Sequence, residues 1–156
     1  MIVEMDIPDY IMVNNNAAFE EKHPRDDAGK FTSKYSINNI LGEEFFNVKG
    51  QDAVNKIMSE HRGFVRDAFY RKDIGNIALL WGNDNIGLQH IIKRRIETKQ
   101  PLGKLLRSLT EVIEQGELEQ DENNDFVIRY KGKKAIIEPK LFDHKIQFLM
   151  TAYYEK

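Results

Sequence analysis

The run "IGNIALLWG" (74–82) constrains the fold more than any other stretch. From Ile77 to Trp81 every residue is apolar. A strand with one wet face alternates polar and apolar side chains, so an unbroken run this short reads as a strand covered on both faces. It predicts a central strand. The stretch before it, "GFVRDAFYR" (63–71), is rich in aromatic and branched residues and is separated from it by a short turn centred on Lys72 and Asp73. The pair reads as an antiparallel hairpin. Alternation in the first strand groups Val65, Asp67, Phe69 and Arg71 against Phe64, Arg66, Ala68 and Tyr70, and leaves open which group meets the core.

Helical spacing surrounds this hairpin. "GQDAVNKIMSEH" (50–61) places Val54, Ile57, Met58 and His61 on one stripe, with His61 as a packing or helix-end residue. After Gly87, a second helix carries Leu88, Ile91, Ile92 and Ile96 on one side and His90, Lys93, Arg94 and Glu97 on the other. Arg95 falls inside the apolar stripe, an anomaly. "KQP" at 99–101 breaks the helix. "PLGKLLRSLTEVIEQG" then predicts a third helix burying Leu102, Leu105, Leu106, Leu109, Val112 and Ile113, with Gly116 as its stop. "DFVIRY" (125–130) and "KKAIIE" (133–138) form a hairpin through Lys131 and Gly132, and 144–154 alternates as a last strand. The order is helix, two strands, two helices, three strands. That is α+β, with an antiparallel sheet of about five strands and helices packed on one face. Residues 1–38, polar from 13 onward, are expected to be an arm or linker, and 39–156 the compact domain.

Several function classes are excluded or disfavoured. Without cysteine there is no disulfide or thiolate chemistry. No stretch approaches the ~20 apolar residues of a membrane span, and "MIVEMDIPDY" shows no signal-peptide pattern. The four histidines lack metal-ligand spacing, so neither a metal nor a cofactor is expected. "GNDNIG" (82–87) lacks the GxxxxGK[ST] pattern of a phosphate loop. The net charge of −2 hides an uneven distribution: residues 62–108 hold 10 Lys/Arg and 4 Asp/Glu, whereas both flanks are acidic. A basic island can attract phosphate locally, and it can equally be a solvated helix face.

The candidate site residues come from two places. Strand alternation groups Ile146, Phe148, Met150 and Ala152 against Gln147, Leu149, Thr151 and Tyr153, and sets Arg129 opposite Phe126, Ile128 and Tyr130. Arg129, Thr151, Tyr153 and Gln147 therefore share the face turned from the helices. Arginine can neutralise a phosphate, hydroxyls can hold its oxygens, and tyrosine can stack on a base. An ordinary polar sheet face would look the same. His90 lies in the first turn of its helix, where the dipole disfavours the imidazolium and favours a neutral base, with Lys93 and Arg94 beside it as cations.

The segment "GFVRDAFYRKDIGNIALLWGNDNIGLQHIIKRR" resembles the phage barnase–EndoU–colicin–RelE-like nuclease family. The carrying motifs are "AFYR-x-DIG-x-I-x-L-x-WG", the "GL-x-HI" helix opening, and a closing strand that here reads "FLMTAYYEK". The resemblance covers about residues 50–154. It implies a barnase/RelE-like fold and a metal-independent endoribonuclease of toxin or effector type, encoded by a phage or mobile element. Such a domain acts on RNA in the cytoplasm of a host bacterium, delivered by a virion or made there, and can pair with a small acidic immunity or antitoxin protein. By motif, Arg71, His90, Thr151 and Tyr153 are the implied site residues. Many relatives carry a second histidine where this chain has Arg95. Arg95 can contact phosphate but cannot exchange a proton at neutral pH. The expected reading is an endoribonuclease with His90, Arg71, Arg129, Thr151 and Tyr153 as catalytic residues. Arg95, Lys93, Arg94 and Gln147 would bind substrate. The alternative is a nucleic-acid-binding or phage-particle module that keeps the fold without the chemistry.

Overall fold

The computed structural model describes residues 40–142 and 144–155. The expected arm, 1–38, and its boundary with the domain lie outside the described residues. Wholly within the described residues, three helices and six strands follow one another as α1 (Gln51–Glu60), β1 (Phe64–Arg71), β2 (Gly75–Leu80), α2 (Gly87–Glu97), α3 (Leu102–Gln115), β3 (Glu117–Gln120), β4 (Phe126–Tyr130), β5 (Lys133–Glu138) and β6 (Phe148–Tyr154). The architecture is α+β, as the hydrophobic periods require.

The sheet runs in the order β1-β2-β6-β5-β4-β3. Two details differ from the expected antiparallel sheet of about five strands. β3 is a sixth strand, pairing Glu117–Gln120 antiparallel with β4. It is short and acidic and inserts only the half-buried Leu118, so no apolar alternation marks it in the sequence. The sheet is also mixed, because β2 and β6 run parallel with Ala78 opposite Phe148. Hairpins give antiparallel neighbours, but β2 reaches β6 only after two helices and three strands, and the long crossover returns the chain in the same direction.

β2 is covered on both sides, as its unbroken apolar run predicts. Ile77 and Leu79 join the main core with Val54, Ile57, Leu88, Ile91, Leu105 and Leu109 from the three helices. Ala78 and Leu80 face the other way and pack with Ile40, Phe64, Leu141 and Phe148 in a smaller cluster. α3 buries all six apolar residues expected of it. At roughly 1.5–3 kcal/mol for each fully buried aliphatic side chain, α3 is a principal anchor of the fold.

Strand alternation fails in two places, and both are irregularities in the ladder. In β1 the register shifts between Val65 and Phe69, so Val65, Ala68 and Phe69 all enter the main core while Phe64 points away. In β6 the shift leaves Met150 as an extra residue between the Ile137↔Leu149 and Ile136↔Thr151 pairs. Leu149 and Ala152 therefore meet the helices together, not on the opposite faces that strict alternation assigns. In α2, Ile96 is exposed and Arg95 is buried. Starting from Leu88, the positions three, four and seven residues on are Ile91, Ile92 and Arg95, so the cation occupies the last place of the core stripe.

α3 ends at Gly116, but not through a left-handed turn: its φ is −73°. A Cβ there would lie 2.5 Å from Ile128 Cγ2 and 2.6 Å from the Val112 carbonyl oxygen. The glycine is required because helix and sheet touch at this point. The neighbouring carbonyls of Ile113 and Gly116 accept bonds from Arg71 Nη1 at 2.7 and 2.8 Å. Gly116→Ala is expected to destabilise the protein by about 1–3 kcal/mol through overpacking. Chemical denaturation measures it, and an unchanged midpoint would refute the close-approach argument.

Candidate active site cleft between α2 and β6

The site originates where the sheet parts. β2 ends at Leu80, two residues beyond its pairing with β6, so the last turns of β6 have β5 on one side and no strand on the other. Exposed strand edges need hydrogen-bond partners. α2 and the link after it supply them with side chains. Arg95 Nη1 donates to the Ala152 carbonyl at 2.9 Å. Gln100 acts as a one-residue strand: its Oε1 accepts from the Tyr154 N–H at 2.8 Å and its Nε2 donates to the Tyr154 carbonyl at 3.1 Å.

An open cleft of about 500 Å³ lies along this seam, lined by His90, Arg94, Arg95, Thr98, Gln100, Thr151, Tyr153, Tyr154 and Glu155. It brings together His90, Arg95, Arg94, Thr151 and Tyr153 from the residues singled out in the sequence. Tyr154, Glu155, Thr98 and Gln100 were not anticipated. Nothing in their residue types distinguishes them, since their place depends on where the sheet splits.

His90 is held by the turn before its helix. Gly82 and Gly87, at φ +77° and +84°, let that turn close on itself. A Cβ on Gly82 would strike the Ile86 carbonyl oxygen, and one on Gly87 would lie 2.8 Å from that of Leu80. Asn83 Oδ1 accepts from the N–H groups of Asn85 and Ile86. Asp84 is the centre of the turn. Its carbonyl oxygen lies 2.8 Å from His90 Nδ1, and its carboxylate accepts from Gln89 Nε2 and Lys93 Nζ, each at 3.3 Å. A carbonyl can only accept, so the contact requires the proton on Nδ1 and leaves Nε2 as the basic nitrogen of the neutral ring. Burial, seconded by Arg95, Arg94 and Lys93, holds the imidazole below its ordinary value, outweighing the bond to Asp84 that favours the charged form. Asp84 is thus a positioning residue that motif reading missed, although "GNDNIG" already marked the turn that carries it.

Arg95 is 5% exposed and Thr151 is 6% exposed. Arg95 sits over the Tyr153 ring at 5.2 Å, and Lys134, opposite Tyr153 on β5, lies 5.7 Å from the same ring. Among the described residues no carboxylate forms an ion pair with Arg95. Its Nε and the Thr151 Oγ1 are buried without hydrogen-bond partners. Burial, with Arg94 nearby, lowers the Arg95 value from that of a free guanidinium. A buried donor without a partner costs roughly 1–3 kcal/mol, more when charged; Gln51 Oε1, Trp81 Nε1, Gln89 Oε1 and Thr110 Oγ1 are in the same state outside the cleft.

Four expected site residues sit elsewhere. Arg71 is bound to the carbonyls at the end of α3 and, through Nε and Nη2, to Asp73. Arg129 bridges Glu119 and Glu155, and reaches the cleft only through the second of these. Gln147 Nε2 donates to the carbonyls of Ile74 and Asn76, fastening the start of β2. Lys93 is paired with Asp84. Among the described residues no cluster of His, Asp or Glu has the geometry to hold a metal ion, and no helix is long and apolar enough to cross a membrane.

A split mixed sheet with a histidine–arginine cleft at the seam defines a nuclease-type domain once its kinship is added. Residues 68–156, more than half of the chain, match the family described as phage-Barnase-EndoU-ColicinE5/D-RelE like nuclease 1, and the chain belongs to that family. Membership implies a nucleic-acid substrate. No curated protein and no solved structure matches the chain.

At neutral pH, ¹⁵N NMR of His90 should show the Nδ1-protonated tautomer, with a titration midpoint below ~6.5. An Nε2-protonated ring would refute the positioning role of Asp84.

Proposed function

We propose that the domain is a metal-independent endoribonuclease that cleaves RNA through attack of the 2′-OH on the adjacent phosphodiester. One observation carries this reading: a histidine with Nδ1 fixed on a carbonyl shares a cleft with a buried arginine that has no carboxylate partner. Transesterification at RNA needs a base for the 2′-OH proton and positive charge where the phosphorane forms. His90 Nε2 takes the proton. Arg95, with the Thr151 hydroxyl, faces the charge that develops on phosphorus, and Arg94 adds positive potential at the rim. The 5′-oxygen leaves with a proton from solvent, giving 2′,3′-cyclic phosphate and 5′-OH ends. Tyr153 anchors Arg95 through its ring and is a positioning residue in this scheme, not a platform for a base.

Family membership supports the nuclease class. This reading gives Arg71 no step in the chemistry, since its guanidinium is bonded to the end of α3 and to Asp73.

Wild-type protein should cut RNA in EDTA, and His90→Ala should lower the rate by about 10²–10⁴. End-group analysis should find cyclic phosphate. A strict Mg²⁺ requirement would sink the scheme. Salt-sensitive RNA binding with no cleavage would select the non-catalytic binding module instead.

The pH dependence follows from the lowered His90 value. A base works when deprotonated, so kcat/KM should rise with pH with a midpoint below about 6.5. A midpoint above about pH 7 would point to another base.

A further inference from the structure

We propose, resting on the reading of the cleft as a nucleic-acid site, that Arg129 is a positioning residue that acts through Glu155. It holds the Glu155 carboxylate toward β3 and keeps it off the cations gathered around Tyr153. This role concerns binding and does not require cleavage.

Strand geometry brings Glu155 within reach of those cations. The β5–β6 ladder continues one residue past the strand, because the Glu155 N–H donates to the Gly132 carbonyl at 2.8 Å. Beyond the irregularity at Met150, Thr151 lies opposite Ile136 and Tyr153 opposite Lys134. Side chains two apart on a strand share a face, so Thr151, Tyr153 and Glu155 form one column, with Glu155 about 7 Å along from Tyr153. The Tyr153 ring carries Arg95 at 5.2 Å and Lys134 at 5.7 Å. Glu155 supplies the one carboxylate among the residues lining the cleft. Unrestrained, that anion would settle on these cations and compete with an incoming phosphate.

Arg129 draws it the other way. On β4, opposite Lys134, its Nε donates to Glu155 Oε2 at 3.1 Å and its Nη1 to Glu119 Oε2 at 2.7 Å. Glu119 belongs to β3, the strand at the far edge of the sheet from β1 and two strands beyond β5. The second ion pair therefore anchors the guanidinium on the side away from α2. In this arrangement the acidic groups that bear on Arg95 are Tyr153 and Glu97, not Glu155. An arginine that met phosphate directly would have its donors open to the cleft, whereas those of Arg129 are shared between two carboxylates.

Both ion pairs are solvent-exposed, so losing them should cost little stability and the variants should fold. The probe is a short fluorescent single-stranded DNA oligonucleotide at low salt in EDTA, which has phosphodiesters but no 2′-OH to react. Arg129→Gln should weaken its binding by about three- to tenfold. Adding Glu155→Gln should return binding to within about twofold of wild type. Adding Glu119→Gln instead gives the same net charge but leaves Glu155 charged, and should not restore binding. Restoration by both second substitutions would reduce the effect to long-range charge. Restoration by neither would make Arg129 a direct ligand. Either result overturns the proposal.

His90 supplies a readout without any ligand. A carboxylate released into the cleft offsets the cations that help to lower the imidazole value. The NMR titration midpoint of His90 should therefore rise in Arg129→Gln, fall back when Glu155→Gln is added, and stay raised when Glu119→Gln is added. A midpoint that does not move in Arg129→Gln would overturn the role of Arg129 even if RNA is cut. If wild-type protein binds no oligonucleotide, the nucleic-acid reading of the cleft falls, and the His90 titration alone decides whether Arg129 restrains Glu155.

Discussion

The open edge of β6 is the constraint on which the rest of the structure depends. β6 pairs with β2 over a single position and then runs on without it. A backbone edge cannot be left dry and unpaired, so α2 and the following link must supply donors and acceptors at fixed points. Gln100 does this with both atoms of its amide, and Arg95 with one nitrogen of three. The helix register is thereby locked to the strand. His90, more than a turn earlier on α2, is carried to the same seam. The cleft is the space that remains where a helix has replaced a strand.

This arrangement explains why a charge occupies a core position. A Leu at position 95 would complete the stripe of Leu88, Ile91 and Ile92 but leave the Ala152 carbonyl without its partner. The arginine satisfies the strand and keeps a free edge. Its retention costs stability, as does the unpartnered Thr151 hydroxyl. Sites that bind or transform ligands commonly hold such locally unfavourable groups, and the surrounding fold compensates. Here the six buried apolar residues of α3 and the two-sided burial of β2 provide that compensation.

Much of the fold was legible because hydrophobic period speaks directly to burial. The unbroken apolar run gave a doubly covered β2, the stripe of α3 was complete, and Lys131–Gly132, both at positive φ, made the hairpin turn their residue types suggest. Arg95 was legible as an anomaly for the same reason. What escaped depended on tertiary pairing. Register shifts in β1 and β6 inserted residues that no alternation can show, β3 had too little apolar content to register, and the parallel pair arose from a long crossover. The site followed the same division. His90, Thr151 and Tyr153 could be named from motif and face. The link from His90 to Asp84 runs through a backbone carbonyl, which every residue possesses. The removal of Arg71 from the cleft reflects the end of α3, a feature forty residues away from it.

The Arg95–Ala152 bond spans 57 residues. Contacts of such separation close late in folding, after local helices and hairpins have formed. The two walls of the cleft therefore come from segments that meet only when the sheet is completed. Without β6 in the sheet, neither the Ala152 carbonyl that holds Arg95 nor the wall that carries Thr151 and Tyr153 is in place, so the cleft is a property of the completed sheet alone.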